Sequence, residues 1–147
     1  FPRLKVVVCD RDRKALEVAG EEIARENMKD RIYLRQGDFF RDDIGRGYDL
    51  ALLASVFSLF DDQENALLLQ KIRDCLETGG RVVICDHIDE TRTQPVSAAL
   101  FAVNMLVLTK NGRAYSLSEA RSLLRSAGFE DIQHLPMSPF QVVTGTK

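Results

Sequence analysis

The chain has 147 residues, 45% of them hydrophobic, which is enough for one core and too few for two comfortable ones. Acids and bases nearly balance at a formal charge of -2 and are interspersed, leaving no electrostatic footprint for a phosphate polymer, so no nucleic-acid partner is expected. No apolar run reaches the roughly 18 residues that a bilayer span needs, and the start lacks the charged-then-apolar pattern of a signal peptide, so no membrane partner is expected either.

The elements follow in order. Residues 4–9, "LKVVVC", form a β-branched run of the kind buried on both faces of a parallel sheet, ending at Asp10. Asp12 is an N-cap for a helix whose apolar face is Ala15, Leu16, Ala19 and Ile23, weakened by Gly20 and ending near Asn27. Residues 31–36 alternate weakly as a second strand closed by Gly37-Asp38, and residues 48–57, "YDLALLASVF", are apolar enough for a central third. Asp61 and Glu64 make a capping box with Asp in place of Ser or Thr. The helix that follows shows Leu68, Ile72, Cys75 and Leu76 on one face until Gly79-Gly80. Residues 81–85 are a fourth strand ending in "DHIDE". Pro95 then opens a helix, "PVSAALFAVNMLVL", apolar nearly all round, as if several sides were buried or one faced a ligand or another subunit. Ser116 and Glu119 cap a further helix with Leu117, Ala120, Leu123 and Leu124 inward and Gly128 at its end. Two short strands, around "FEDIQHL" and "FQVVTGT", close the chain. Strand alternating with helix gives a doubly wound α/β domain, mostly parallel, with one antiparallel strand near the C-terminus.

Cys9, Cys75 and Cys85 are odd in number and make no C-x-x-C pair, so they read as small hydrophobes in a reducing compartment, the cytoplasm. Open α/β sheets bind ligands outside the carboxyl ends of their strands. Those ends present Asp10, Asp38 with Phe39, residues 55–58, and Asp86-His87. Asp10 suits a ribose diol. Asp38 can accept from an adenine amino group while Phe39 packs on the base, which accounts for rings beside an acid in "GDFF". His87, just after a strand and beside Asp86, is a candidate base; His134, in a late strand, reads as structural. One His with scattered carboxylates in "DHIDE" lacks the spacing of a metal site, so no metal is expected.

The combination resembles the S-adenosylmethionine-dependent O-methyltransferases that act on small hydroxylated molecules, such as plant phenolics, hydroxyindoles and bacterial polyketides. The resemblance runs over the whole chain. It is carried by "FPRLKVVVCD", "GDFF", "YDLALLASVFSLFDDQE", "LETGGRVVICD", "ALFAVNMLV" and "NGRAYSLSEARSLLRSAGF". It implies a Rossmann-like methyltransferase sheet and S-adenosylmethionine as cofactor, held by Asp10 on the ribose and by Asp38 and Phe39 around adenine, with Ser55 nearby. It also implies an acceptor against Phe57, Ser58, Phe101 and Met105, and a homodimeric whole protein.

Two departures bear on function. The family's glycine-rich loop and first, central strand precede the strand that begins here, and the chain opens with Phe1. Residues 1–147 are therefore expected to be a partial catalytic domain, inactive alone, without the helical dimerisation domain and with a gap between the strands at residues 4–9 and 48–57. Many relatives also carry a His-Asp-Trp run whose histidine takes the acceptor's proton, and here the run is Ser58-Leu59-Phe60. Of the acids that orient that histidine, one has a candidate counterpart in Asp86 and another aligns with Ala114. His87 and Asp86 are what remain for catalysis. The loss leaves a second reading, a family member that binds the cofactor but no longer methylates hydroxyls. A third, a nicotinamide-binding half, accounts for Asp10 but not for "GDFF".

Overall fold

The computed structural model describes residues 3–88, 90, 96–137 and 139–147. They fall into two compact units, Phe1–Gly45 and Arg46–Lys147.

The first unit is a β-α-β crossover. Strand β1 (Val6–Asp10) pairs in parallel with β2 (Ile32–Gln36), joined by helix α1 (Arg13–Arg25). Asp12 caps α1 by accepting from the Lys14 N–H at 2.9 Å. Leu16 is the buried residue of α1, and a side chain at Gly20 would come within 3.3 Å of Leu34 Cδ1. Val8 and Leu34 stand opposite each other on this side of the pair. Val7 and Tyr33, one residue earlier, alternate to the other side and are exposed. The β-branched run is thus half-buried at most, because a two-stranded sheet with a single helix has only one face to cover: Val6 and Val8 are half-buried, and even Leu34, opposite Val8, is exposed.

The second unit holds β3 (Tyr48–Ala54), a 3₁₀ turn at Phe57–Leu59, α2 (Asp62–Cys75), β4 (Leu76–Asp86), α3 (Val96–Leu108), α4 (Leu117–Ser126), β5 (Glu130–Pro136) and β6 (Gln141–Thr146). Its sheet runs β3-β4-β6-β5, with β3 parallel to β4 and β6 antiparallel to both of its neighbours. One antiparallel strand near the C-terminus is what the sequence predicts. Strands β1 and β3, between which the sequence leads to the expectation of a gap, belong to different sheets.

Leu53, Val82, Ile84 and Val143 form the buried face of the four-stranded sheet, and α2 and α4 pack on it and on each other through Leu68, Leu69, Ile72, Ala120 and Leu124. Both predicted capping boxes are present, Asp61 with Glu64 and Ser116 with Glu119. Three local expectations change. The third strand stops at Ala54 because Ser55 takes a left-handed φ of 53°, and it lies at the sheet edge with Leu50 and Leu52 exposed. Helix α2 stops at Cys75, before the glycines, and Leu76 is its extended C-cap. Gly79, at φ +80°, and Gly80, where a Cβ would lie 2.9 Å from the Glu77 carbonyl oxygen, instead shape an irregular start to β4. Pro95 and Asp89 lie outside the described residues. Helix α3 exposes Leu100, Val103, Leu106, Val107 and Leu108 while Met105 is buried.

Candidate active site

In the first unit the two strand ends are tied together by the Gly37 N–H, which donates to the Asp10 carbonyl at 3.0 Å. The Asp10 carboxylate accepts from the Asp12 N–H at 2.8 Å through Oδ1, and its second oxygen meets no partner among the described residues. One step along, Asp38 Oδ1 accepts from the Phe40 N–H at 2.9 Å and Oδ2 stands 3.8 Å from Arg41 Nε. The Asp38 N–H donates to Asp42 at 2.8 Å, which fixes the turn. Phe39 and Phe40 pack with centroids 5.1 Å apart. These are Asx turns: each acid orders its own loop and keeps lone pairs for a ligand. Asp10, Asp38 and Phe39 therefore share one end of the first unit.

The second unit treats its strand-end acid differently. Asp86, 1% exposed, accepts from Ser58 Oγ at 3.0 Å and the His87 N–H at 2.7 Å through Oδ1, and from the Ser58 N–H at 3.0 Å through Oδ2. Asp86 thus holds the backbone of His87 and not its ring. That ring packs against Phe101, with centroids 4.4 Å apart, and against Phe140 at 4.6 Å, and no described residue bonds its nitrogens. Ser58 is 3% and Phe57 0% exposed; Met105 is also buried, and Phe101 is half-buried. His134 bonds Gln141 at 2.8 Å. Ser55, held at the end of β3 by its N–H to the Cys85 carbonyl, keeps a backbone conformation that costs a non-glycine residue of order 1 kcal/mol, a form of strain that clusters at functional sites.

The turn bearing Ser58 is fixed by residues that the sequence did not single out. Asn65, fully buried, donates to the Phe57 and Phe60 carbonyls at 2.8 and 3.3 Å and to the Tyr115 hydroxyl at 3.0 Å; Tyr115 in turn donates to the Phe60 carbonyl at 2.9 Å. The Arg113 N–H donates to the Ser58 carbonyl at 3.0 Å, and a Cβ at Gly112 would lie 2.5 Å from that same oxygen. The Arg113 guanidinium lies 4.1 Å from the centre of the Tyr115 ring and pairs with Asp62 and Glu119. Burial works against its charge, yet those two carboxylates hold it above the usual arginine range. Burial pushes the Tyr115 phenol up to about 12, opposed by the Asn65 hydrogen bond. The signal for Asn65 was present: it lies three and seven residues before Leu68 and Ile72, a polar residue on the buried stripe of α2.

Acids and a following aromatic stand at the carboxyl end of a parallel β-α-β pair, the end at which open α/β domains bind ligands. The chain belongs to the O-methyltransferase domain family, whose model matches residues 1–130. It is 38% identical over 117 residues to a 3-hydroxy-5-methyl-1-naphthoate 3-O-methyltransferase of Streptomyces sahachiroi, covering 79% of this chain and 34% of that protein. Its structure superposes on human N-acetylserotonin methyltransferase in complex with SAM with a TM-score of 0.86 at 28% identity, covering 100% of this chain and 41% of the other. A Planctomyces limnophilus O-methyltransferase family 2 protein in complex with apigenin gives a TM-score of 0.91 at 29% identity, covering 100% and 44%. The chain thus spans about a third of the length of that curated relative and under half of these solved chains.

Proposed function

We propose that the protein to which this domain belongs uses S-adenosylmethionine to methylate a hydroxyl of a small aromatic molecule. The observation that carries the reading is the Gly37 to Asp10 hydrogen bond, which brings a carboxylate with a spare oxygen beside Asp38 and Phe39. This donor and acceptor set fits a nucleoside: Asp10 would take the ribose hydroxyls, Asp38 the adenine amino group and Phe39 the base's face. This set in the first unit does not include Ser55, which belongs to the second. When bound, the cofactor supplies an electron-poor methyl carbon, and its passage to oxygen leaves a neutral thioether.

The chain's own part is to orient the acceptor, keep water away and manage one proton. Phe101 and His87 would border the acceptor, with Phe57, Ser58 and Met105 behind them. A ring nitrogen of His87 would take the hydroxyl proton, because Asp86 is already committed to three donors. The similarity to methyltransferases whose names and complexes carry naphthoate and apigenin supports an aromatic acceptor. We further propose a cytoplasmic homodimer. Three cysteines free of disulfides suit a reducing compartment, and the exposed apolar side of α3 suits a second copy; no helix among the described residues is long and apolar enough to cross a membrane.

Calorimetry of the full-length protein with S-adenosylmethionine and with NAD, followed by methyl transfer to a panel of phenols, tests the activity, and light scattering tests the dimer. Binding of the methyl donor with turnover is expected. Preference for NAD, or donor binding without methylation of any phenol, would overturn the activity.

A further inference from the structure

The loop between α3 and α4 sets the pair Asn111-Gly112 against the turn that bears Ser58. Gly112 is buried, and a Cβ there would lie 2.5 Å from the Ser58 carbonyl oxygen and closer still to Thr109 Oγ1, so the chain has no room to spare at this point. The Arg113 N–H then donates to the same Ser58 carbonyl at 3.0 Å. Asn111 is exposed, and its Nδ2 donates to Glu64 Oε1 at 3.2 Å, while Glu64 Oε2 accepts from the Asp61 N–H in the capping box of α2. One side-chain amide thus fastens the loop to the start of α2, and one backbone bond fastens it to the Ser58 turn.

An asparagine before a glycine is chemically labile, since glycine puts no side chain between the asparagine carbonyl carbon and the nitrogen that follows. That nitrogen attacks only when its proton is free to leave. Here the Gly112 N–H donates to Thr109 Oγ1 at 2.8 Å, and the Thr109 hydroxyl is itself fixed by donating to the Met105 carbonyl at 2.6 Å. The hydroxyl therefore acts as a catch on the nucleophile.

We propose that Asn111 is a self-modification site: it converts to aspartate or isoaspartate at a rate held down by the Thr109 hydroxyl, and the product loosens the turn that bears Ser58. The Gly112 nitrogen bonds to the Asn111 side-chain carbonyl carbon, Nδ2 leaves with the former Gly112 proton as ammonia, and water opens the resulting cyclic imide at either carbonyl; nothing is oxidised or reduced. Opening to aspartate replaces the amide that donates to Glu64 by a carboxylate, so an attraction becomes a repulsion. Opening to isoaspartate adds a carbon to the main chain immediately before Gly112, where Ser58 and Thr109 leave it no space. Either product draws the Arg113 N–H away from Ser58. The conversion needs only water and is independent of the methyl-transfer reading above.

The test ages the full-length protein at mildly alkaline pH and follows conversion at residue 111 by peptide mass mapping and an enzymatic assay of isoaspartate. The parent should convert slowly, and Thr109→Val about threefold or more faster, because an amide freed of its acceptor is the better nucleophile. Thr109→Ser, which keeps the hydroxyl, should convert close to the parent rate, and Asn111→Gln should not convert. Hydrogen exchange then compares aged with fresh protein: the Arg113 and Ser58 N–H groups should exchange about tenfold or more faster once residue 111 is converted. Asn111→Asp should show part of that increase without ageing. A parent that does not convert, a Thr109→Val protein no faster than Thr109→Ser, or converted protein whose Arg113 and Ser58 amides exchange as before would overturn the proposal.

Discussion

The two units meet the same problem, an aspartate at the carboxyl end of a strand, and solve it in opposite ways. Asp10 and Asp38 are half-buried and each accepts a local N–H with one oxygen, ordering a turn; the other oxygen of Asp10 stays available, and that of Asp38 meets only an exposed Arg41 at 3.8 Å. Asp86 is buried and saturated by Ser58 and His87. A half-solvated acid with spare lone pairs can bind, whereas a desolvated acid with none to spare can only hold its surroundings in place. Residue type and strand position are the same, so the difference lies in what the next element delivers: a tight turn in the first unit, and a 3₁₀ turn with an inward serine in the second.

The strongest way to break the contrast is Asp86→Ala. It strands three buried donors, each costing about 1 to 3 kcal/mol, so the second unit should lose about 3 kcal/mol or more of stability in chemical denaturation. Asp10→Ala should change stability far less but weaken S-adenosylmethionine binding by about 1 to 3 kcal/mol, the scale of a lost charged hydrogen bond. Calorimetry beside an unfolding curve reads both. Unchanged affinity in Asp10→Ala, or an Asp86→Ala protein as stable as its parent, would erase the distinction.

A second contrast concerns pH. Tyr115 has a folded-state pKa of about 12, above the ordinary phenol value, so the stability it contributes is complete below about pH 10 and is lost as pH climbs through the folded value. Melting temperature should fall between pH 10 and 12, by an amount corresponding to roughly 2 kcal/mol at the end of that window. Tyr115→Phe should lower stability below pH 10 and flatten this part of the decline. A Phe variant with the parental alkaline slope would show that the Asn65 and Phe60 contacts do not govern it.

How much of this was legible depended on whether the deciding partner was local. The helices and their caps were readable because a cap residue and its target lie within three positions, as at Asp61 with Glu64. The antiparallel strand near the end and the acids at the strand ends were readable for the same reason. The saturation of Asp86 was not, since its partner Ser58 lies 28 residues away and serine at a strand end gives no pattern. The stop of β3 was hidden too: "LLASVF" is apolar throughout, and only the left-handed Ser55 interrupts it. Asn65 left a trace, a polar residue on an apolar stripe, but its partners, Tyr115 fifty residues on and two carbonyls of an irregular turn, could not be read from spacing.

The smallest expected effect compares helix starts across the same divide. Asp12 caps α1 at an exposed position, with only the Lys14 N–H as its helical target. Ser116 caps α4 within a reciprocal box, accepting from the Glu119 N–H while the Glu119 carboxylate accepts the Ser116 N–H at 2.8 Å and pairs with Arg113. Replacement by alanine should cost about 0.5 kcal/mol at Asp12 and about 1 to 2 kcal/mol at Ser116, since the second change also loosens the acid that anchors Arg113 above Tyr115. Hydrogen exchange at the first turn of each helix resolves the two even where global unfolding does not. If α4 frays no more in Ser116→Ala than α1 does in Asp12→Ala, the box adds nothing to the cap.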